Sequence, residues 1–142
     1  MAAGPTVKQI LQAYPGKIRL VIKNYPYKYR DFSRIAAEAS LAARDQSRYW
    51  EMHDILLTRS PKLDRASLIA YAEELSLDVK KFTDSIDSGR HTKEIDRDLK
   101  LAESMDLYNT PTFYINGRQV VGERPFEYFR KIIDEILNES GN

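Results

Sequence analysis

The run Thr110-Pro111-Thr112-Phe113-Tyr114-Ile115-Asn116-Gly117 opens on a Thr-Pro turn, continues as a strand and ends in an Asn-Gly turn. A proline at a strand mouth lacks the N–H that a sheet ladder needs, so it belongs at the first residue or on an edge. It is also a natural place for a cis peptide, which X-Pro bonds reach at a cost of only about 0.5–1 kcal/mol. Gln119–Val121 then completes a short hairpin, and Pro125 opens a last helix with Phe129, Ile132, Ile133, Ile136 and Leu137 on its inner face.

Working back towards the N-terminus, Val7, Ile10, Leu11 and Tyr14 stand at i, i+3, i+4 and i+7, which predicts an amphipathic helix closed by Pro15-Gly16. Ile18–Lys23 reads as a strand. Five helices are expected next. Asp31 caps the first, which carries Phe32, Ile35, Ala36 and Ala39 on one face. Ser47 caps the second, with Trp50, His53 and Leu57 aligned. Ser60-Pro61 breaks the chain, and Asp64 starts a third helix bearing Leu68, Ile69, Ala72 and Leu75. Asp78 caps a fourth that ends at Gly89, and Thr92 opens a fifth with Ile95, Leu99 and Ala102 in one stripe. A hairpin this small needs further strands and covering helices to be stable. The helical tract therefore reads as an expanded crossover between strands of one α/β sheet.

Composition narrows the chemistry. The chain has 142 residues, 42% hydrophobic and 30% charged, enough for one domain with a real core. It has no cysteine, which removes disulfides, thiolate metal sites and any thiol chemistry of its own. No apolar run reaches the roughly 18 residues of a membrane span, and the start lacks the pattern of a signal peptide. A net charge of +1 argues against a nucleic-acid field. Lys17, Arg19, Lys23, Lys28, Arg30 and Arg34 read as a solvated basic face rather than an anion site.

Four blocks taken together resemble the DsbA-like branch of the thioredoxin superfamily, the thiol-disulfide oxidoreductases and isomerases. They are Gly4-Pro5-Thr6-Val7-Lys8-Gln9-Ile10-Leu11, Tyr14-Pro15-Gly16-Lys17-Ile18-Arg19-Leu20-Val21, Tyr49-Trp50-Glu51-Met52-His53-Asp54 and the Thr110–Gly117 run. The resemblance spans about Gly4 to Leu137. It implies a single thioredoxin-like domain over 1–142 with a helical insertion at about 31–106, lacking the first core strand and the Cys-x-x-C motif that precede the first helix in the family. It also implies that Thr110 and Pro111 form a substrate-binding loop offering backbone hydrogen bonds to polypeptide. The family's compartment is the periplasm; a chain starting at Met1 without a leader would stay in the cytoplasm.

Thiol exchange requires a thiolate with a lowered pKa, and no hydroxyl replaces it. The resemblance thus points to an oxidoreductase ancestry and to inactivity in thiol exchange for this sequence, with no catalytic residue, no cofactor and no metal. The alternatives are a cysteine-free polypeptide-binding module and a strand-exchanged structural oligomer. In the family sheet the missing strand lies between those matching Ile18–Lys23 and Phe113–Ile115. The gap is expected to close by direct pairing, by exchange in a dimer or by capture of an extended peptide. The expected partners are extended or unfolded polypeptide and a second copy through the sheet edge, with neither nucleic acid nor membrane.

The remaining chemistry-bearing residues take plainer readings. His53 is expected at the core boundary and His91 in solvent, and Glu73, Glu74, Asp96 and Asp98 on solvated helix faces. Trp50, Phe113, Tyr114 and Phe129 are expected in the core. Tyr25, Tyr27 and Tyr29 are expected as anchors of a surface loop.

Overall fold

The computed structural model describes residues 3–141, without the side chain of Ala3. Among these residues the order is α1 (Ala3–Ala13), α2 (Ser33–Arg44), α3 (Tyr49–Arg59), α4 (Arg65–Glu74), α5 (Val79–Ser88), α6 (Thr92–Ser104), β1 (Thr112–Ile115), β2 (Arg118–Val121) and α7 (Phe126–Ser140). The chain divides into two compact units, one made of residues 1–22 and 106–142 and the other of residues 23–105. No helix among the described residues is long and apolar enough to cross a membrane.

The first unit is built on the hairpin. Asn116 and Gly117 both take positive φ (46° and 87°), the requirement of the tight turn that matches strand twist. β1 and β2 pair antiparallel with Phe113 opposite Val120 and Tyr114 opposite Gln119. Val120, Ile10, Phe129 and Ile133 are buried together, with Ile18, Phe113 and Ile115 packed against them. The Phe113 ring meets Phe129 edge-on at 4.9 Å, a geometry worth about 0.5–1.5 kcal/mol beyond the buried area.

The expected strand at Ile18–Lys23 does not form. The segment keeps the burial rhythm of a strand, with Ile18, Leu20 and Ile22 half-buried and Arg19, Val21 and Lys23 exposed. Yet the sheet has two strands only, and 18–22 makes no backbone hydrogen bond among the described residues. A strand is defined by its ladder, and here the ladder has no neighbour. Direct pairing of this segment with β1 is therefore not what the chain adopts.

The second unit is a helical bundle around α2, which packs on α3, α4, α5 and α6. Its alanines (Ala36, Ala39, Ala42, Ala43) are buried and allow the neighbouring helices to come close, with Met52, Leu68, Phe82 and Ile95 filling the space between. Asp64 accepts the Ser67 amide at 3.1 Å and Asp78 the Lys81 amide at 3.0 Å, so both cap as expected. Gly89 ends α5 in the left-handed conformation.

Two expected caps fail. α2 follows Phe32, not Asp31, and Phe32 itself lies at φ 64°, ψ −3°. For a bulky L-residue that conformation costs roughly 1–2 kcal/mol. α3 follows Arg48 with no side-chain cap, because Ser47 is also left-handed (φ 60°) and forms the turn between α2 and α3 instead.

Candidate functional site

The Thr110–Pro111 peptide is cis, as is Ser60–Pro61. Both Thr110 and Pro111 are half-buried at the head of β1. The Pro111 carbonyl accepts the Gly122 amide at 2.8 Å, and the Thr112 hydroxyl donates to the Asn109 carbonyl at 2.7 Å. These two bonds fix the loop to the far end of β2 and to its own turn.

The same register decides what β1 leaves open. Pro111 and Gly122 form a hydrogen-bonded pair, and antiparallel pairing alternates along the strand. The peptide groups of Thr112 and Tyr114 thus face away from β2, and they form no backbone hydrogen bond among the described residues. The loop and the open edge are continuous: a chain laid along β1 would begin at Thr110–Pro111. Tyr114, expected in the core, is 39% exposed, its hydroxyl accepting from Gln119 Nε2 at 2.8 Å across the hairpin. Phe113 and Phe129 do lie on the packed side.

Elsewhere in this unit, Tyr14, just after α1, donates to Asp134 Oδ1 of α7 at 2.6 Å. Partial burial, together with that carboxylate, pushes the phenol pKa up to about 12.

Several titratable groups stand where the sequence did not put them. Asp98 is buried, not solvated, and accepts from Lys23 Nζ at 2.9 Å, the Asn24 amide at 2.9 Å and Asn24 Nδ2 at 3.4 Å. His91 is buried as well. Its amide donates to Glu38 Oε2 at 3.0 Å, and its Nε2 lies 3.0 Å from Asp45 Oδ2, at ion-pair distance but without hydrogen-bond alignment. Glu38, a buried residue for which the sequence reading had no role, also accepts from the Thr92 hydroxyl at 2.7 Å. It satisfies the start of α6, a structural task. Trp50 is 51% exposed, while Met52, two residues on, is the residue of α3 that is fully enclosed. His53 sits at the boundary, stacked on Tyr49 at 5.8 Å.

None of these clusters brings together a nucleophile and a base. Among the described residues no group of three or more His, Cys, Asp or Glu is arranged to hold a metal ion. What the geometry leaves is a row of β1 peptide groups without ladder partners, and the sequence has no thiol to react.

A hairpin followed by a closing helix, an α1 helix packed on it and a helical bundle inserted between define a thioredoxin-like fold of the kind found in DsbA-like thiol-disulfide oxidoreductases. The family model for thioredoxin matches residues 2–135, and the chain belongs to that family. A thioredoxin-like oxidoreductase from Silicibacter pomeroyi superposes with a TM-score of 0.86 at 26% identity, covering 96% of this chain and 78% of its own. The thiol-disulfide exchange protein α-DsbA2 from Wolbachia pipientis shares the fold, with a TM-score of 0.83 at 24% identity over 95% of this chain and 73% of its own. Among curated proteins, segments of two Na(+)/H(+) antiporters are similar. The NhaA antiporter of Herminiimonas arsenicoxydans is 38% identical over 87% of this chain and 19% of its own length, and NhaA 3 of Salinispora tropica 36% over 82% and 18%. The chain spans about a fifth of the length of those relatives.

Proposed function

We propose that this chain is a polypeptide-binding domain of oxidoreductase descent, inactive in thiol exchange as its sequence stands. It docks extended polypeptide at Thr110 and Pro111 and along the open edge of β1. The observation that carries this reading is backbone left without ladder partners on one side of β1 and along residues 18–22. The peptide groups of Thr112 and Tyr114 face away from β2, and residues 18–22 alternate in burial like a strand but have no ladder. A bound chain would supply hydrogen bonds that the fold leaves unmade, the physical basis of strand addition. The absence of cysteine removes the exchange step itself. The antiporter relatives, in which a similar segment is part of a much longer protein, fit a module that serves by binding. The compartment proposed, from the family resemblance, is the periplasm.

The test pairs two assays on the full chain. Reduction of insulin by dithiothreitol is expected to run at the background rate. A reduced, alkylated unfolded polypeptide carrying a fluorophore is expected to bind saturably and to bind more weakly to Pro111→Ala, which alters the loop at the head of β1. Insulin turnover above background, or binding indifferent to Pro111, overturns the reading. The unpaired edge also favours a second one, a structural oligomer joined edge to edge. Light scattering that finds a dimer unaffected by peptide would establish it in place of the first.

A further inference from the structure

We propose that a groove in the helical unit, lined mainly by residues 26–35, is a second docking site that takes an acidic polypeptide segment with one apolar or aromatic side chain. The groove is an open surface depression of about 410 Å³, within the volume range of ligand clefts. Its apolar lining comes from Pro26, Tyr27, Phe32, Ile35 and Leu99, and its cationic lining from Lys28, Arg30 and Arg34.

The charges are not spent internally. Arg34 is paired with Asp96 at 2.6 Å, but Lys28 and Arg30 are exposed and form no ion pair among the described residues. Arg30 lies over the Tyr27 ring, 5.6 Å from its centroid, which holds the guanidinium beside the apolar wall rather than letting it range through solvent. Asp31, also exposed, is the carboxylate adjacent in sequence and is not among the lining residues. Two cations without ion-pair partners in the lining of a mostly apolar groove call for carboxylates flanking an apolar anchor.

Phe32 supplies a second, independent sign. It is 48% exposed and held in the left-handed region, a rare conformation for a bulky residue, and strained residues of this kind gather at ligand clamps. The helix's hydrogen bond at this position does not need the ring: the Phe32 carbonyl accepts the Ala36 amide at 2.9 Å, which a glycine would do equally well. A nucleic acid fits less well, because two free cations and a mostly apolar lining do not track a phosphate backbone.

The experiment is fluorescence anisotropy on the full chain with a labelled Asp-Asp-Phe-Asp-Asp peptide, beside versions with Gly for Phe and with Lys for Asp. The acidic aromatic peptide is expected to bind saturably, and binding to weaken as salt is raised. Lys28→Glu with Arg30→Glu is expected to weaken it by about tenfold or more, since attraction becomes repulsion in the groove. Phe32→Gly separates binding from folding. It relaxes the left-handed backbone, so the melting temperature should hold or rise while peptide affinity falls. Pro111→Ala should leave this site unchanged, so loss of the first site and loss of this one are distinguishable. Equal binding of the Gly or Lys peptides, unchanged affinity in the charge-reversed variant, or Phe32→Gly binding as well as the parent overturns the proposal. So does saturable binding of phosphatidylglycerol vesicles, or dimerisation through Phe32, with no peptide bound.

Discussion

Lys23 Nζ sits 2.9 Å from Asp98 Oδ1 across 75 positions of sequence, with Asp98 buried and Lys23 60% exposed. The carboxylate is the pivot of this contact. It also takes the Asn24 amide, so the start of the helical unit is tied to the middle of α6 through one side chain. The lysine, reaching in from solvent, contributes little alone, as exposed ion-pair partners do.

Asp98→Asn should therefore cost about 1–3 kcal/mol, the range for hydrogen bonds to a buried charge. Lys23→Ala should cost about 1 kcal/mol or less. Urea unfolding of both variants checks the order; a larger loss at Lys23 would reverse the assignment of roles.

Glu38 should behave as the anchor of α6. Its two oxygens accept from the His91 amide at 3.0 Å and the Thr92 hydroxyl at 2.7 Å, at the positive end of the helix. Glu38→Ala leaves the buried His91 amide and the half-buried Thr92 hydroxyl without this acceptor and should cost about 1–3 kcal/mol. Glu38→Gln keeps one carbonyl acceptor and should lose less. Thermal melts of the two variants give the comparison, and equal melting temperatures would refute it.

Tyr14 gives a pH signature. Its pKa in the folded chain is raised to about 12 by burial and by Asp134, above the ordinary value of 10.0. The unfolded chain thus loses this proton first. The stabilisation is complete below the unfolded pKa and is lost as pH rises towards the folded one. Ultraviolet titration should show one tyrosine ionising after the others, and Asp134→Asn should bring it back towards them. A titration unaltered by that substitution would remove Asp134 as a cause.

How much of this was legible in the sequence depended on how local the cause was. Asp64, Asp78, Gly89 and the Asn116-Gly117 turn act within a few residues, and each stands where its chemistry placed it. Asp31 and Ser47 had the right chemistry for caps, but the turns leading into α2 and α3 needed left-handed residues at Phe32 and Ser47, which no local propensity favours. Asp98 carried a signal that polarity obscured. It lies three residues from buried Ile95 and four from buried Ala102, on the same helical stripe, where a charge must have partners. His91 and Glu38 were illegible, because the bond that joins them spans 53 positions of sequence. For the Thr110–Pro111 loop the sequence gives the position, but its tie to Gly122 and the open side of β1 follow only from strand register.

The segment before α2 offers the most direct check of how the sheet is completed. Residues 18–22 alternate in burial like a strand but have no ladder, so their amides should exchange with solvent almost as fast as an unstructured chain. The Gly122 amide, bonded to Pro111 at 2.8 Å, should exchange more slowly and serves as the internal reference. The response to additions then separates the routes to completion. Protection that grows with protein concentration indicates exchange between copies, whereas protection that appears only with added unfolded polypeptide indicates strand capture. Strong protection of 18–22 in the dilute chain alone would contradict the unpaired state and, with it, the open edge on which the docking proposal stands.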